Sequence, residues 1–112
     1  MNKYHAKKTT VDNITFDSEK EAHRYGELRI LERVGMITDL VCHPTYVLQE
    51  GFIWHGKKIR PITYEADFSY IEGGQRITED VKGSEKTITA LAKVKIKMFK
   101  KLYPEIMFRL EV

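Results

Sequence analysis

Two aspartates and a lysine form the most suggestive group of reactive side chains in this 112-residue sequence. Asp67 lies in one predicted strand, and Asp80 and Lys82 lie in the next, with a turn at residues 72–75 between them. Side chains alternate across a strand, so Asp80 and Lys82 share a face, and Asp67 falls near the level of one of them. Like charges that meet across a hairpin destabilise it. The pattern therefore predicts a cation between the acids, and oxygen ligands favour Mg²⁺ or Mn²⁺ over zinc.

A simpler interpretation of the same residues needs no metal. An acid two positions before a lysine is common at this composition, so Asp80 and Lys82 alone indicate little. Asp67 and Asp80 could be exposed carboxylates at a sheet edge, with Lys82 as a surface ion-pair partner. The functional hypothesis depends on context, which is a strand end, a hairpin partner that bears a second acid, and a lysine-rich helix downstream.

Glu21 has two competing explanations. Ser18 followed by Glu21 has the spacing of a capping box, in which the glutamate closes a helix N-terminus and has no other role. In the functional interpretation, Glu21 points over the sheet towards the metal. The two roles are hard to combine at one time.

Lys95 is the unusual cation of the second predicted helix. Steps of three and four residues predict one buried face, which comprises Ile88, Leu91, Ala92, Met98, Phe99 and Leu102. Lys95 sits within this face, so its ammonium either extends to solvent or meets a carboxylate or a phosphate. The remaining lysines of the helix are predicted on the opposite, polar side.

The elements that would position these residues follow from local signals. Ser18 caps a first helix that ends near Gly35 and has one apolar face up to Val34. Strands are predicted at residues 37–48 with a break near Pro44, at 62–71 and at 76–82, and a hairpin around His55-Gly56. A second helix at residues 87–103 and a strand at 106–112 complete a strand-helix-strand unit with parallel strands.

This order predicts an α/β (α+β) fold, a small mixed β-sheet with flanking helices in the order helix, strands, hairpin, helix, strand. The length suits a single domain over residues 1–112. Within it, residues 1–15 are expected to form a polar N-terminal arm and residues 49–60 a hairpin insertion. Tyr46 and Trp54 are expected to pack in the core or the insertion, with base stacking as the alternative.

The charge of the chain is modest but unevenly placed. The net charge is +3, from 19 basic and 16 acidic residues. Residues 84–103 carry six lysines and one glutamate, whereas residues 60–82 carry three cations and five acids. A basic element after an acidic cluster suits a protein that holds a polyanion and a cation together. The alternative is a solvated, lysine-rich helix face.

Several classes of protein are excluded or disfavoured. Cys42 is the only cysteine, which excludes an internal disulfide and a multi-cysteine zinc site. The four histidines lack metal-ligand spacing, and Gly73-Gly74 is followed by no phosphate-loop motif. No apolar run approaches the ~18 residues of a membrane span. The N-terminus has no signal-peptide pattern, so we expect a cytoplasmic location.

Four segments, in this order, resemble the PD-(D/E)XK nuclease superfamily and, more narrowly, a small phage and prophage family within it. They are FDSEKEA at residues 16–22, YEADF at 64–68, EDVKG at 79–83, and the helix that carries Lys93 and Lys95. The resemblance covers nearly the whole chain. Two positions depart from the motif: Ala66 replaces its name-giving proline, and Asp80 replaces the more usual glutamate, which shortens the reach by one methylene.

The resemblance implies a metal-dependent DNA endonuclease that hydrolyses phosphodiester bonds. The implied metal ligands, for Mg²⁺ or Mn²⁺, are Asp67, Asp80, the carbonyl of Val81, and Glu21 for a second metal or a metal-bound water. The implied catalytic residues are Glu21, Asp67, Asp80, Lys82 and Lys95. In this scheme Lys82 orients the water or the scissile phosphate, and Lys95 contacts phosphate near the cut.

The implied partner is DNA, with no membrane and no nucleotide cofactor. The DNA-binding residues are expected to be Lys86, Lys93, Lys97, Lys100 and Lys101. So small a domain has little surface for base readout, which favours structure-selective cutting of branched or junction DNA by a homodimer, in phage recombination, repair or packaging. If the protein is phage-encoded, its location is the host cytoplasm. The alternative is a non-catalytic DNA-binding accessory protein on the same fold.

Overall fold

The computed structural model describes residues 7–83 and 88–111. Along the chain, the elements are β1 (Thr9–Val11), β2 (Ile14–Phe16), α1 (Glu19–Arg33), β3 (Thr38–Cys42), β4 (Thr45–Gln49), β5 (Phe52–Trp54), β6 (Lys57–Ile59), β7 (Ile62–Glu65), β8 (Phe68–Glu72), β9 (Gln75–Val81), α2 (Ala90–Leu102) and β10 (Met107–Glu111). A four-stranded sheet has the order β10-β9-β8-β3, and β1–β2, β4–β7 and β5–β6 form two-stranded sheets. This mixed architecture confirms the predicted fold class.

The central sheet is built around β8 and β9. These strands pair antiparallel across a turn at Gly73-Gly74, where φ is +58° and +78°, values that a glycine adopts without a Cβ clash. On its other side, β9 pairs in parallel with β10, and α2 makes the connection between them. The predicted hairpin and the predicted strand-helix-strand unit are both confirmed.

Two apolar cores lie against this framework. One contains α1 and comprises Phe16, Ala22, Tyr25, Leu28, Ile37, Phe68, Tyr70 and Ile77. The other contains α2 and comprises Leu48, Tyr64, Ala66, Ile96 and Phe99. Alternate residues of β9 reach the two cores, since Ile77 packs in the first and Thr78 bonds to the Tyr46 hydroxyl of the second over 2.6 Å.

Both helices begin with a hydroxyl cap, and their buried faces are narrower than predicted. The Oγ atoms of Ser18 and Thr89 accept backbone N–H bonds three residues ahead, which fixes the two helix starts. Val34 is exposed, although it was assigned to the apolar face of the first helix. On α2, the fully packed residues are Ile96 and Phe99.

Leu91 and Leu102 are exposed as well, so their assignment to the buried face of the second helix was wrong. The helix packs mainly on β4 and β7, and the stripe that it buries is only wide enough for residues near Ile96 and Phe99. A periodicity of three and four residues gives the direction of a face but not its width.

The long strand predicted at residues 62–71 is two strands. β7 ends at Glu65 and pairs with β4, whereas β8 begins at Phe68 and pairs with β3 and β9. At the interruption, the Ala66 N–H donates to the Pro44 carbonyl over 3.0 Å, and the Asp67 carbonyl accepts from the His43 N–H over 2.9 Å. The predicted break near Pro44 is present. A second break, which was not predicted, lies opposite it at Ala66-Asp67.

The N-terminal segment is more structured than the polar arm predicted for residues 1–15. Strands β1 and β2 form a hairpin across Asp12-Asn13, and Val11, Ile14 and Phe16 pack against the first core. The alternation of these apolar residues, spread over a short polar stretch, is too brief to identify a strand pair from sequence. Residues 1–6 of the predicted arm lie outside the described residues.

The hairpin predicted around His55-Gly56 is present as β5–β6. Trp54 on this hairpin is 56% exposed, so the prediction that it packs in a core was wrong. Tyr46 is half-buried in the second core, as predicted. Neither helix has the length and hydropathy that crossing a membrane requires in the described ranges.

Candidate active site

The interruption between β7 and β8 places Asp67 beside Asp80 of β9. The backbone N–H of Asp67 donates to Oδ1 of Asp80 over 3.1 Å, and Oδ2 of Asp67 accepts from the N–H of Val81 over 2.7 Å. Asp80 is only 3% exposed and Asp67 is half-buried. The two acids meet as the register predicted, and Asp80 is not an exposed carboxylate at a sheet edge.

A phenol closes the other side of the Asp80 carboxylate. The hydroxyl of Tyr64 donates to Oδ2 of Asp80 over 2.5 Å, inside the second core. Burial raises the pKa of Tyr64, and the neighbouring charge of Asp80 raises it further, so the hydroxyl stays protonated and keeps its role as donor. Each Asp80 oxygen thus accepts one hydrogen bond and retains a free lone pair.

Asp67 is a carboxyl group with a strongly raised pKa. Burial is the main cause of the rise, and the charges of Glu21 and Asp80 add to it, while the N–H of Val81 and the charge of Lys82 oppose it. Together they bring the pKa to about 7. Three acids are therefore near enough to influence one another, with one lysine as the compensating charge.

The structure separates the two roles proposed for Glu21. Its backbone N–H donates to Oγ of Ser18 over 3.1 Å, whereas its carboxylate lies 2.9 Å from Nε2 of His43. The cap therefore uses the main chain of Glu21, and the side chain is directed inward, where it is 4% exposed. Burial raises the pKa of this carboxyl, and the hydrogen bond with His43 counteracts the rise.

Two lysines border a groove that reaches Asp80. Lys82 follows β9 and Lys95 lies on α2, and both are half-buried. The groove has a volume of about 270 Å³ and is lined by Tyr64, Glu65, Asp80, Lys82, Thr89, Leu91, Ala92 and Lys95. Glu21 and Asp67 are not part of its lining. The structure thus brings Lys95 to the end of the sheet where Asp80 and Lys82 lie.

The other lysines of α2 lie elsewhere. Lys93, Lys97 and Lys100 line a second groove, of about 560 Å³, between α2 and β10. The ammonium of Lys100 stands 5.3 Å from the ring centroid of Phe108. Lys101 is exposed and, at 100° per residue, faces away from the buried stripe. Lys86, also predicted to bind DNA, lies outside the described residues.

A second buried acid, Glu79, lies directly before Asp80 and points to the opposite face of the sheet. Glu79 is fully buried and accepts two hydrogen bonds from the Arg24 guanidinium, at 2.7 and 2.9 Å, and one from the Tyr70 hydroxyl at 2.6 Å. The hydrogen bond with Glu79 is the main reason why the pKa of Arg24 is raised. This pair joins α1 to β9, one helical turn after Glu21.

The sequence interpretation missed His43 and Tyr64 as parts of the site. Tyr64 has a weak signal, because it is the hydroxyl-bearing residue of the segment at 64–68 that contains Asp67. His43 has none, since its bond to Glu21 depends on the bend before Pro44, where φ of His43 is +55°. Arg24 was missed because an arginine on a helix is ordinarily a surface residue.

Within residues 7–83 and 88–111, no three His, Cys, Asp or Glu side chains are arranged as a ready-made metal site. The Asp67 N–H contacts the Asp80 carboxylate, and the two side chains could both contribute oxygens to one cation. The carbonyl of Val81 is a third candidate, because the N–H and C=O of one strand residue point to the same side, and the Val81 N–H points at Asp67.

Comparison with known proteins identifies a family. The family model described as "Protein of unknown function (DUF1064)" matches residues 1–111. No curated protein and no solved structure matches this chain significantly.

Proposed function

We propose that this chain, which belongs to the DUF1064 family, is a Mg²⁺- or Mn²⁺-dependent nuclease that hydrolyses phosphodiester bonds in DNA. The observation that carries the proposal is the contact between Asp67 and Asp80. Within the described ranges, neither carboxylate forms an ion pair with a lysine or an arginine, although Asp80 is buried. Two adjacent acids without a cation are costly unless one is protonated or a metal ion joins them.

The donor atoms suit a hard divalent cation. Asp67 and Asp80 offer carboxylate oxygens, and the Val81 carbonyl lies on the same side of β9. Mg²⁺ is commonly held by one or two carboxylates and several waters, so it does not require a cluster of three acidic ligands. Glu21 is directed to the same region and could bind a water of that shell. When bound, such a metal lowers the pKa of a coordinated water and neutralises charge on a phosphate.

The lysines of the groove would act on the substrate. A phosphate in the groove beside Asp80 would lie within reach of the ammonium groups of Lys82 and Lys95. Lys82 would orient the attacking water or the scissile phosphate, and Lys95 would stabilise the charge that grows on the phosphate oxygens. Tyr64 would hold the Asp80 carboxylate in place through its hydroxyl.

The second groove would hold the flanking DNA. Its lysines, Lys93, Lys97 and Lys100, lie on one flank of α2, and Lys95 lies on the other flank. A DNA backbone that follows α2 would meet both sets of ammonium groups, and such contacts supply most of the non-specific affinity for DNA. We further propose a homodimer that cuts branched or junction DNA in the cytoplasm, because so small a surface can read few bases.

The test is cleavage of a panel of branched, single-stranded and linear DNAs with Mg²⁺ or Mn²⁺. Asp80→Asn should abolish cleavage, and Asp39→Asn, which changes an exposed acid far along β3, should not. Lys95→Met should lower the single-turnover rate by ~10²-fold or more, in line with the loss of one charge-stabilising group. Lys97→Met is its matched control on α2 and should retain the rate at saturating DNA.

Two results would overturn this proposal. Cleavage by Asp80→Asn at the wild-type rate would remove the two acids from the site. Tight DNA binding with no cleavage of any substrate by the wild-type protein would favour the non-catalytic accessory protein instead. Equal and small effects of Lys95→Met and Lys97→Met would leave Lys95 without a role in the reaction.

A further inference from the structure

The β5–β6 hairpin projects from the rest of the chain. Its strands pair with each other and make no extensive contact with another helix or strand in residues 7–83 and 88–111. All three residues of β5 are exposed, and all of them are large and apolar, namely Phe52, Ile53 and Trp54. A soluble chain ordinarily buries such a group, so this surface is expected to have a partner.

Apolar and basic side chains share each face of the hairpin. Trp54 pairs directly with Lys57, and Phe52 with Ile59, so these four side chains lie on one face. On the opposite face, Ile53 pairs with Lys58. The Cβ atoms of such directly paired residues are about 4.5–5.5 Å apart, which places a lysine ammonium within reach of the indole of Trp54.

Glycines at the base and at the tip fix the backbone conformation of the hairpin. A Cβ on Gly51 would lie 2.9 Å from the Ile59 carbonyl oxygen, so the two strands approach there as closely as only a glycine allows. At the tip, His55 and Gly56 have φ of +46° and +79°, as in a tight two-residue hairpin turn. The hairpin is therefore a preformed projection.

We propose that this hairpin binds an unpaired DNA strand, with a base stacked on Trp54 and the adjacent phosphate held by Lys57. Exposed aromatic rings beside cations are the surface that unpaired nucleic acids recognise, because every base has a face that can stack. Lys58 and Arg60 add positive charge near the base of the hairpin. The choice of DNA rests on the proposed function, but no carboxylate of the candidate active site takes part.

A second copy of the chain suits this surface less well. Two hairpins that met face to face would bury the apolar side chains but would also bring together the lysines that pair with them. Like charges in direct opposition destabilise a sheet contact, whereas a polyanion neutralises the same lysines. The charge of the hairpin therefore favours a nucleic acid strand over self-association.

The hairpin continues the β4–β7 ladder away from the candidate active site. Glu65, which borders the groove at Asp80, and Lys57 are eight positions apart along the chain. Such a segment spans at most about 28 Å. The stacked base would then lie within this distance of the groove, so the proposed substrate is DNA that has an unpaired stretch close to the phosphate that is cut.

Trp54 is the only tryptophan of the chain, so its fluorescence reports on the hairpin directly. In EDTA, with Asp80→Asn to prevent cleavage, a 15-nucleotide oligodeoxythymidine should quench this fluorescence, and heparin, a polyanion without bases, should not. By anisotropy of the labelled oligonucleotide, Trp54→Ala should bind about 5- to 160-fold more weakly, the range of one base–aromatic stack. Met36→Ala, which truncates an exposed apolar residue outside the hairpin, should bind as the parent does.

Equal affinities of Trp54→Ala and Met36→Ala for the oligonucleotide would overturn the inference, as would equal quenching by heparin. A dimer that Trp54→Ala converts to a monomer in sedimentation would show that a second copy covers the face and would also overturn it. The proposed nuclease is tested separately: absence of cleavage with Mg²⁺, with quenching retained, refutes only the nuclease. Cleavage without quenching refutes only the role of the hairpin.

Discussion

Glu79 and Asp80 are consecutive buried acids on one strand, and the protein treats them in opposite ways. Glu79 faces α1 and receives both an arginine, through two hydrogen bonds, and the hydroxyl of Tyr70. Asp80 faces α2 and accepts one hydrogen bond from the Tyr64 hydroxyl and one from the backbone N–H of another acid, Asp67. Both receive a phenol, and only Glu79 receives a cation.

This difference distinguishes an acid with a structural role from the acid to which we assign a function. A buried carboxylate whose charge is met by an arginine ties two elements together and attracts a further cation only weakly. A buried carboxylate that is hydrogen-bonded but not neutralised is held in place and still attracts a cation. In the proposed function, adjacent residues of β9 therefore have the two roles on the two faces of the sheet, which the alternation of a strand allows.

The largest expected effect comes from removing Arg24, the arginine that pairs with Glu79. Arg24→Met would leave the Glu79 charge buried and uncompensated, and breaking a buried pair in this way lowers the free energy of unfolding by about 3–5 kcal/mol. Urea unfolding measures the change. Arg29→Met, which removes an exposed arginine of the same helix, should change stability little; a similar loss in both variants would show that Glu79 does not depend on Arg24.

The next largest effect is a dependence of stability on pH, which arises from Asp67. Burial, together with the charges of Glu21 and Asp80, raises the pKa of Asp67 from 3.8 to about 7. Between about pH 4 and about pH 7, the folded protein therefore holds a proton that the unfolded chain releases. Stability should therefore fall as pH rises from about 4 through about 7. We expect a fall of about 2–3 kcal/mol, since one pKa unit is about 1.4 kcal/mol and partial exposure reduces the effect.

Asp67→Asn should reduce this fall in stability, leaving the part that the raised pKa of Glu21 contributes, and thermal unfolding at pH 5, 6, 7 and 8 without metal would show it. At pH 8, Mg²⁺ should raise the melting temperature of the wild-type protein, because the ion binds the ionised carboxyl, and should raise that of Asp67→Asn less. A wild-type melting temperature that Mg²⁺ leaves unchanged at pH 8 would argue against a cation between the two acids.

The smallest effects compare the two phenols. Tyr70→Phe and Tyr64→Phe each remove one hydrogen bond to a buried carboxylate, with an expected loss of about 1–2 kcal/mol for that bond. Tyr70→Phe also removes the hydrogen bond that the Tyr70 hydroxyl accepts from Arg109. Mg²⁺ at neutral pH should recover part of the loss in Tyr64→Phe, because Asp80 can turn to the metal, and none in Tyr70→Phe. The urea midpoints of both variants, with and without Mg²⁺, measure this recovery. Equal recovery in both variants would contradict the proposed difference between Asp80 and Glu79.

The elements that local signals specify were the predictable part of the fold. Ser18 and the turn at Gly73-Gly74 define the first helix and the central hairpin, and these predict that Asp67 and Asp80 meet. The break at Asp67 was missed because the strand-forming residues on both sides outweigh Glu65, Ala66 and Asp67, whose types are depleted in strands. Before Ala66 the segment pairs with β4, and after Ala66 it pairs with β3 and β9. This change of partner depends on the neighbouring strands rather than on local propensity.

The side-chain partners of the candidate site were less predictable than its backbone. Lys95 was expected near Asp80, and it does border the same groove, although its apolar neighbour Leu91 is exposed. The inward turn of Glu21 and its bond to His43 depend on a bend 22 residues away. Spacing within one element can place a residue on a face, whereas contacts between distant elements require the packed structure.

The two-glycine turn between β8 and β9 also has a consequence for the order of folding. Asp67 and Asp80 are only 13 residues apart in sequence and are joined by a short hairpin, whereas Glu21 is 46 residues from Asp67. Closing a short loop loses less chain entropy than closing a long one. The two acids should therefore meet before α1 docks, when their repulsion opposes hairpin closure, and the divalent cation that we propose between them would accelerate folding by relieving that repulsion.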